Sequence, residues 1–306
     1  MNYKITHITT YNYSEPVGLC HNEARLKPVN TYYQQCTAAE ILIEPSPSDF
    51  QERKDFFGNQ VTYFSIHNKH TSLRVTAVSS VTTTSESRNM DNADMLSWEQ
   101  VVKTLVKDRD DDILDAQQYK LNSPMIVANQ EMIGYAERSF LEGRPIVDAV
   151  LDLMERIHRD FTYDPHFTTI ATPLLEVLKH RRGVCQDFAH LAIGCIRSMG
   201  LAARYVSGYI ETLPPEGQPR LIGADASHAW FSVYVPNTGW IDFDPTNNQM
   251  PMDKHITVAV GRDYHDVTPL KGVIFGGGKH KLDVSVDVAN IDSTARGSVP
   301  QADKKV

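Results

Sequence analysis

The chain reads as an α+β protein: a β-rich N-terminal part, then helices, then a cysteine-bearing helix followed by antiparallel strands. Three observations carry this reading. Residues 1–84 hold several short β-branched and aromatic runs with turn signals between them. Residues 98–160 carry apolar stripes at helical spacing. Residues 185–246 pass from a helical stripe to strand-like alternation. A chain of 306 residues is long for one compact core, so two domains are the default expectation.

Hydrophobic content of 41% and charged content of 22% fit an ordinary globular protein. A net charge of −8, with no long basic run, argues against a general nucleic-acid-binding surface. The N-terminal residues lack the apolar core of a signal peptide, and no stretch reaches the length of a membrane span. The expected compartment is therefore the cytoplasm. The four cysteines, Cys20, Cys36, Cys185 and Cys195, show no metal-type pairing. Cys185 and Cys195 lie on one predicted helix, roughly 15 Å apart along its axis, too far to bond. Cys20 and Cys36 are expected as free thiols in a reducing compartment.

In chain order, 3–13, 39–44 and 71–78 are predicted strands, and 55–64 is a predicted hairpin with Gly58-Asn59 at its turn. Together they suggest a small antiparallel sandwich over 1–84. It contains no catalytic set, so its expected role is scaffold or substrate rim. His21, His67 and His70 have no carboxylate or cysteine spaced with them and are expected to be surface or satisfied histidines.

Residues 85–97 are polar and read as a linker, which opens a helical stretch over 85–160 that packs on the core. Trp98, Val101, Val102, Leu105 and Val106 form one stripe. The acidic run 108–112 lacks the spaced ligands of a calcium loop and reads as solvated surface. Ser123-Pro124 reads as the cap of a helix through Ile126, Ile133, Ala136 and Phe140. Pro145 opens another, striped by Val147, Val150, Leu151, Met154 and Ile157. Such stripes are expected to be core. Thr172-Pro173 opens a short helix, Leu174 to His180, and Arg181-Arg-Gly183 breaks the chain before Cys185.

Cys185 then falls at the start of a helix striped by Phe188, Leu191, Ala192, Cys195, Ile196 and Met199. Unpaired N–H groups and the dipole at a helix start favour a thiolate and could hold an oxyanion. A lone cysteine is more often a buried small hydrophobe. Downstream, 225–235 alternates and carries His228, and 239–246 is a second strand-like run carrying Asp244. A thiol, a base and an orienting acid thus follow one another on recognisable elements.

At these residues the sequence resembles the transglutaminase-like superfamily of papain-type cysteine enzymes, in its bacterial branch with a β-rich N-terminal domain. The motifs are Gly-Val-Cys-Gln-Asp-Phe-Ala-His (183–190), Ala-Arg-Tyr-Val-Ser-Gly-Tyr (203–209), Asp-Ala-Ser-His-Ala-Trp (225–230) and Gly-Trp-Ile-Asp-Phe-Asp-Pro-Thr-Asn (239–247). The resemblance implies a core over 161–290 in which the cysteine helix packs on an antiparallel sheet. It implies Cys185 as nucleophile, His228 as base and Asp244 as the orienting acid. Gln186, Tyr163, Trp230 and Asn247 are candidates for the oxyanion hole or cleft. No metal or organic cofactor is implied. A peptide or protein substrate is expected, and ATP-grasp-type partner proteins follow by analogy alone. The implied activity is cysteine hydrolysis of peptide or carboxamide bonds, with acyl transfer to an amine and a non-catalytic binding module as alternatives.

Several expectations remain to be tested by geometry. If 236–239 is the turn, Asp244 faces away from His228 and Asn247 lies opposite it. Either a bulge near Pro236 or Gly239 restores the face, or Asn247 orients the histidine. His255, Asp263 and His265 are expected to be structural or cleft-lining. A metal site from Cys185, His190 and His228 ranks low, because His190 sits about 140° round the helix from Cys185. The proline-rich stretch 213–219 is expected as an exposed cleft wall, Leu282 to Val288 as a last strand, and 291–306 as a disordered tail.

Overall fold

A computed structural model describes residues 1–84, 95–169, 172–212 and 227–294. Residues 85–94 of the linker expected over 85–97, the loop 213–219, and the tail beyond 294 lie outside the described residues.

The N-terminal sheet is built on one long strand, β1 (Asn2–Ala24). Its first half pairs with β5 (His70–Thr83), and its second half with β4 (Gln60–Ile66). β2 (Gln34–Glu44) extends the sheet beyond β5, and β3 (Asp49–Lys54) beyond β4. Buried residues of β2 and β5 (Ile41, Ile43, Leu73, Val75) meet those of β1 and β4 (Val17, Cys20, Phe64, Ile66) in one cluster. The strands expected as a small sandwich thus form one antiparallel sheet that shares this cluster. The expected hairpin is present, but its first strand precedes residue 55. Asp55 opens the turn, with its Oδ1 accepting the Phe57 and Asn59 N–H groups, both at 3.0 Å.

Helices follow. α1 (Trp98–Lys107) starts on a Ser97/Gln100 capping box. The acidic run supplies the first turn of α2 (Asp111–Gln117), where its charge suits the helix dipole. The helix expected from Ser123-Pro124 starts later. Ser123 closes a turn with Ile126, and Asn129 caps α3 (Gln130–Ala136) through a bond from Met132 N–H. α4 (Ile146–Asp160) opens after Pro145, as its stripe predicts.

The two-residue β6 (Thr162–Tyr163), then α5 (Leu174–His180) and the equally short β7 (Arg182–Gly183), lead to α6 (Cys185–Ser198). α6 is buried from Asp187 to Arg197 and packs on α3, α4 and α5. It also packs on a second, four-stranded antiparallel sheet made by β8 (Ala203–Ile210), β9 (Ser227–Val235), β10 (Gly239–Phe243) and β11 (His255–Gly261), in the order β10-β9-β8-β11. β9 is buried at every position after Ser227, as befits a strand covered on both faces.

The chain then makes α7 (Tyr264–Val267) and returns to the first sheet. β12 (Leu270–Gly276) pairs with the second half of β1, and β13 (His280–Asn290) with the first. The last strand, expected as part of a unit over 161–290, therefore hydrogen-bonds within the N-terminal sheet. Alternation reports that Leu282 to Val288 is a strand but not which partner it chooses.

The two sheets are joined at the outer edge of β11. The Gln34 amide accepts from Thr257 N–H (2.8 Å) and donates to Thr257 O (2.8 Å). The Asn59 amide does the same at Val260, with both bonds at 2.8 Å. Two side chains thus stand in for a missing neighbouring strand and leave no open edge there.

Candidate active site

Cys185 is the first residue of α6, half-buried and a free thiol. The segment before it is tied down twice. β6 runs parallel to β7, with Thr162 N–H donating to Arg181 O (2.8 Å) and Asp164 N–H to Gly183 O (2.9 Å). The Asp187 carboxylate then accepts Val184 N–H (2.8 Å) and the Thr168 hydroxyl (2.7 Å). Asp187 is buried, which raises its pKa. Gly183 makes room for it, since a Cβ there would lie 2.7 Å from Asp187 Oδ2. Helix geometry leaves the N–H groups of Cys185 and Gln186 without an intrahelical acceptor, because the first such bond is Phe188 N–H to Val184 O. Asp187 was not singled out from the sequence, although an acid at the third helical position is a capping signal.

His228 enters from β9 and Asp244 from the residue after β10. The hairpin between them turns in three residues, 236–238, with Gly239 paired to Val235 and Asn237 at φ 62°. This is one residue shorter than the turn assumed from sequence. The register moves by one and carries Asp244 to the face of His228 without a bulge inside the strands. Thr238 N–H closes the turn on Val235 O at 3.1 Å.

Asp244 is fully buried. Its Oδ2 faces His228 Nε2 at 2.8 Å, His255 Nε2 at 3.0 Å and Asn247 Nδ2 at 2.7 Å. Its Oδ1 accepts the N–H groups of Thr246 (3.0 Å) and Asn247 (3.2 Å), an Asx-type turn made by Asp-Pro-Thr-Asn. Burial pushes this carboxyl upward, but the bonds from His228 and His255 outweigh it and hold the group well below the usual carboxylate range. Asn247 Nδ2 donates to Asp244 and lies 3.3 Å from His228 Nε2, which offers it no acceptor while its own proton points at the carboxylate, so the direct partner of His228 is the aspartate.

With Nε2 committed to Asp244, the other nitrogen of His228 is left for the thiol. Burial would lower the His228 pKa, yet the hydrogen bonds to Asp244 and Cys185 push it up to about 10. Burial raises the thiols of Cys20 and Cys36, and takes that of Cys195 to about 12.

The remaining candidates fall around this line. Tyr163 is 55% exposed and edge-on to Phe188. Burial first, then the charge of Cys185, pushes its phenol up. Gln186 is half-buried on the same helix turn as Cys185. Trp230 is fully buried, edge-on to His255 with ring centroids 5.2 Å apart and tilted against His228 at 6.0 Å. It backs the two imidazoles. Gly208 is what admits it, since a Cβ there would lie 2.4 Å from the indole and 2.2 Å from Ile256 O.

His190 does not join Cys185. Its Nε2 accepts Tyr264 N–H at 3.1 Å, and burial pushes its imidazole down to about 4. Asp263 caps α7 through His265 N–H and also accepts Met125 N–H, a structural use. His255 departs most from its expected standing. Among the described residues, the cluster with three metal-type atoms within 4.8 Å is His228, Asp244 and His255. Both Nε2 atoms sit at hydrogen-bonding distance from one Asp244 oxygen. A cavity of about 630 Å³ between α3 and α5 has none of these residues in its wall.

Residues 3–82 match the family description "Bacterial transglutaminase-like N-terminal region", and residues 135–245 match "Transglutaminase-like superfamily". An uncharacterized protein of Mycobacterium tuberculosis is 40% identical over 300 residues, covering 96% of this chain and 94% of that one. Another from Mycobacterium leprae is 33% identical, covering 94% and 98%. A crystal structure of a candidate cysteine protease from Cytophaga hutchinsonii superposes with a TM-score of 0.73 at 21% identity, covering 95% of this chain and 91% of that one. No helix among the described residues is long and apolar enough to cross a membrane.

Proposed function

The chain belongs to the bacterial branch of the transglutaminase-like superfamily, and from that premise we propose that it is a thiol hydrolase of peptide or carboxamide bonds, with Cys185 as nucleophile. The observation that carries the reading is the buried bond between His228 Nε2 and Asp244 Oδ2, on an imidazole that also hydrogen-bonds Cys185.

The chemistry follows from that line. His228 takes the Cys185 proton, and Asp244 balances the imidazolium. The thiolate adds to the carbonyl carbon. The oxyanion forms against the helix-start N–H groups of Cys185 and Gln186, with the Tyr163 phenol on the rim. As the C–N bond breaks, His228 returns its proton to the departing ammonia or amine, leaving a thioester on Cys185. Water, deprotonated by His228, then releases the carboxylic acid and restores the thiol.

One observation favours a second outcome for the thioester. A protein-glutamine gamma-glutamyltransferase of Pseudomonas aeruginosa is 26% identical over 130 residues, covering 36% of this chain. In that reading an amine replaces water. The test is mass spectrometry of the Cys185 peptide after quenching with a glutamine-containing peptide, with and without dansylcadaverine. The proposal expects a thioester adduct on Cys185, absent in Cys185→Ala, resolved to acid in the presence of the amine. Resolution to the amide would make the acyl-transfer reading the correct one. Adducts spread equally over Cys36 and Cys185 would overturn both.

A further inference from the structure

We infer that His255 is a positioning residue of the Cys185 site: its Nε2–H, on the same Asp244 oxygen as His228, fixes the carboxylate that fixes the base. The inference rests on the proposed thiol chemistry and names a fourth participant in it.

An ionised aspartate only accepts hydrogen bonds. His255 must therefore present an Nε2–H to Asp244 Oδ2 at 3.0 Å, as His228 does at 2.8 Å. One oxygen thus gathers two imidazoles and the Asn247 amide, while Oδ1 is occupied by two backbone N–H groups. Each donor removes a direction in which the carboxylate could turn. The two rings lie 6.1 Å apart with the Trp230 indole packed against both.

A histidine buried only for packing would be answered by neutral groups. His7 and His190 are answered in that way, by hydroxyls and a backbone N–H. His255 instead meets the one carboxylate that faces the base. The three residues come from different elements: His228 from β9, Asp244 from the residue after β10, and His255 from the start of β11. β11 lies on the far side of β8 from β9. His255 thereby ties the outer edge of the sheet to the acid. That edge is itself gripped by Gln34 and Asn59, so the N-terminal sheet sets the height of β11 and, through His255, the orientation of Asp244.

The tests are His255→Phe, which keeps ring volume and removes the donor, and His255→Gln, whose amide N–H reaches about the same point. Two readouts are taken on the full chain: the rate of iodoacetamide alkylation at Cys185, and the far-downfield proton NMR signals of imidazole N–H groups bonded to a buried carboxylate. Wild type is expected to show two such signals, one lost in His228→Ala and the other in His255→Phe. The Phe variant is expected to slow alkylation about 10- to 100-fold, by analogy with the loss when the carboxylate or carbonyl behind a metal-bound histidine is removed. It should also move the surviving His228 signal upfield. The Gln variant restores both. A Phe variant with wild-type rate and an unmoved His228 signal overturns the inference. So does a Gln variant as slow as Phe. If Phe does not fold, His255→Asn, too short to reach Oδ2, takes its place. Alkylation indifferent to His228→Ala would sink the thiol chemistry instead, and the NMR arm then judges the His255 contact by itself.

Discussion

In the N-terminal sheet, buried His7 lies between two neutral hydroxyls, those of Thr9 and Tyr209 at 3.0 Å each. In the four-stranded sheet, buried His228 lies against the carboxylate of Asp244 at 2.8 Å. Both rings are nearly excluded from water. Burial pushes His7 down to about 4, while Asp244 and Cys185 take His228 up to about 10. The same side chain under the same desolvation becomes an uncharged strut in one region and a proton holder in the other. The difference lies in a single buried acid. His7 is answered by neutral hydroxyls, one from each sheet, whereas His228 meets a negative charge concentrated on one oxygen.

Removing that acid should give the largest effect. Asp244→Ala leaves the Nε2–H groups of His228 and His255 and the Asn247 amide facing an empty, buried site, so unfolding in urea should show a loss of about 3–5 kcal/mol. His7→Gln, its counterpart in the first sheet, should cost about 1 kcal/mol, the worth of a neutral hydrogen bond. Equal losses at the two sites would erase the contrast.

Gly208→Ala comes next. Its Cβ would strike Ile256 O at 2.2 Å and the Trp230 ring at 2.4 Å, and the Ile256 carbonyl cannot withdraw without parting β8 from β11. A loss of about 3 kcal/mol is expected by chemical denaturation, together with slower Cys185 alkylation. Gln34→Ala then tests whether the first sheet supports the second. It strips the Thr257 N–H and C=O of their partners, and a cost of about 1–3 kcal/mol is expected. The account further expects slower Cys185 alkylation there, although Gln34 touches none of the reacting groups.

The last contrast concerns pH. The His7 ring titrates near 6.5 unfolded and about 4 folded. Between those values the unfolded chain holds a proton that the native one does not, so stability falls as pH drops through that window and levels off below it. From pH 8 to 4.5 the His7 share is about 2.5 kcal/mol. Urea midpoints for His7→Gln should therefore drop less over that range than those of wild type. An identical drop would mean that His7 is not held neutral.

Much of this was legible in the sequence, for identifiable reasons. A helix start at Cys185, an alternating run around His228 and the Asp-Pro-Thr turn at Asp244 are local patterns, and local patterns survive without a structure. What was lost depended on one-residue register or on distant pairing. The face of Asp244 hung on whether the hairpin turned in three residues or four. β13 was readable as a strand, but its choice of β1 as partner was written in no local signal. His255 looked structural because its partner is eleven residues away across a loop and a strand end. Asp187 went unremarked because Val184, which offers only its backbone N–H, hides the usual capping pattern.

The central claim is that His228 makes Cys185 a thiolate. Its most direct measurement is the rate of iodoacetamide alkylation at neutral pH, read peptide by peptide for Cys185 and for half-buried Cys36, in wild type and in His228→Ala. The account predicts that Cys185 labels far faster than Cys36 and that the variant removes about 100-fold or more of that rate, the low end of what a positioned base supplies. Cys185 and Cys36 labelling alike, with His228→Ala unchanged, would contradict it.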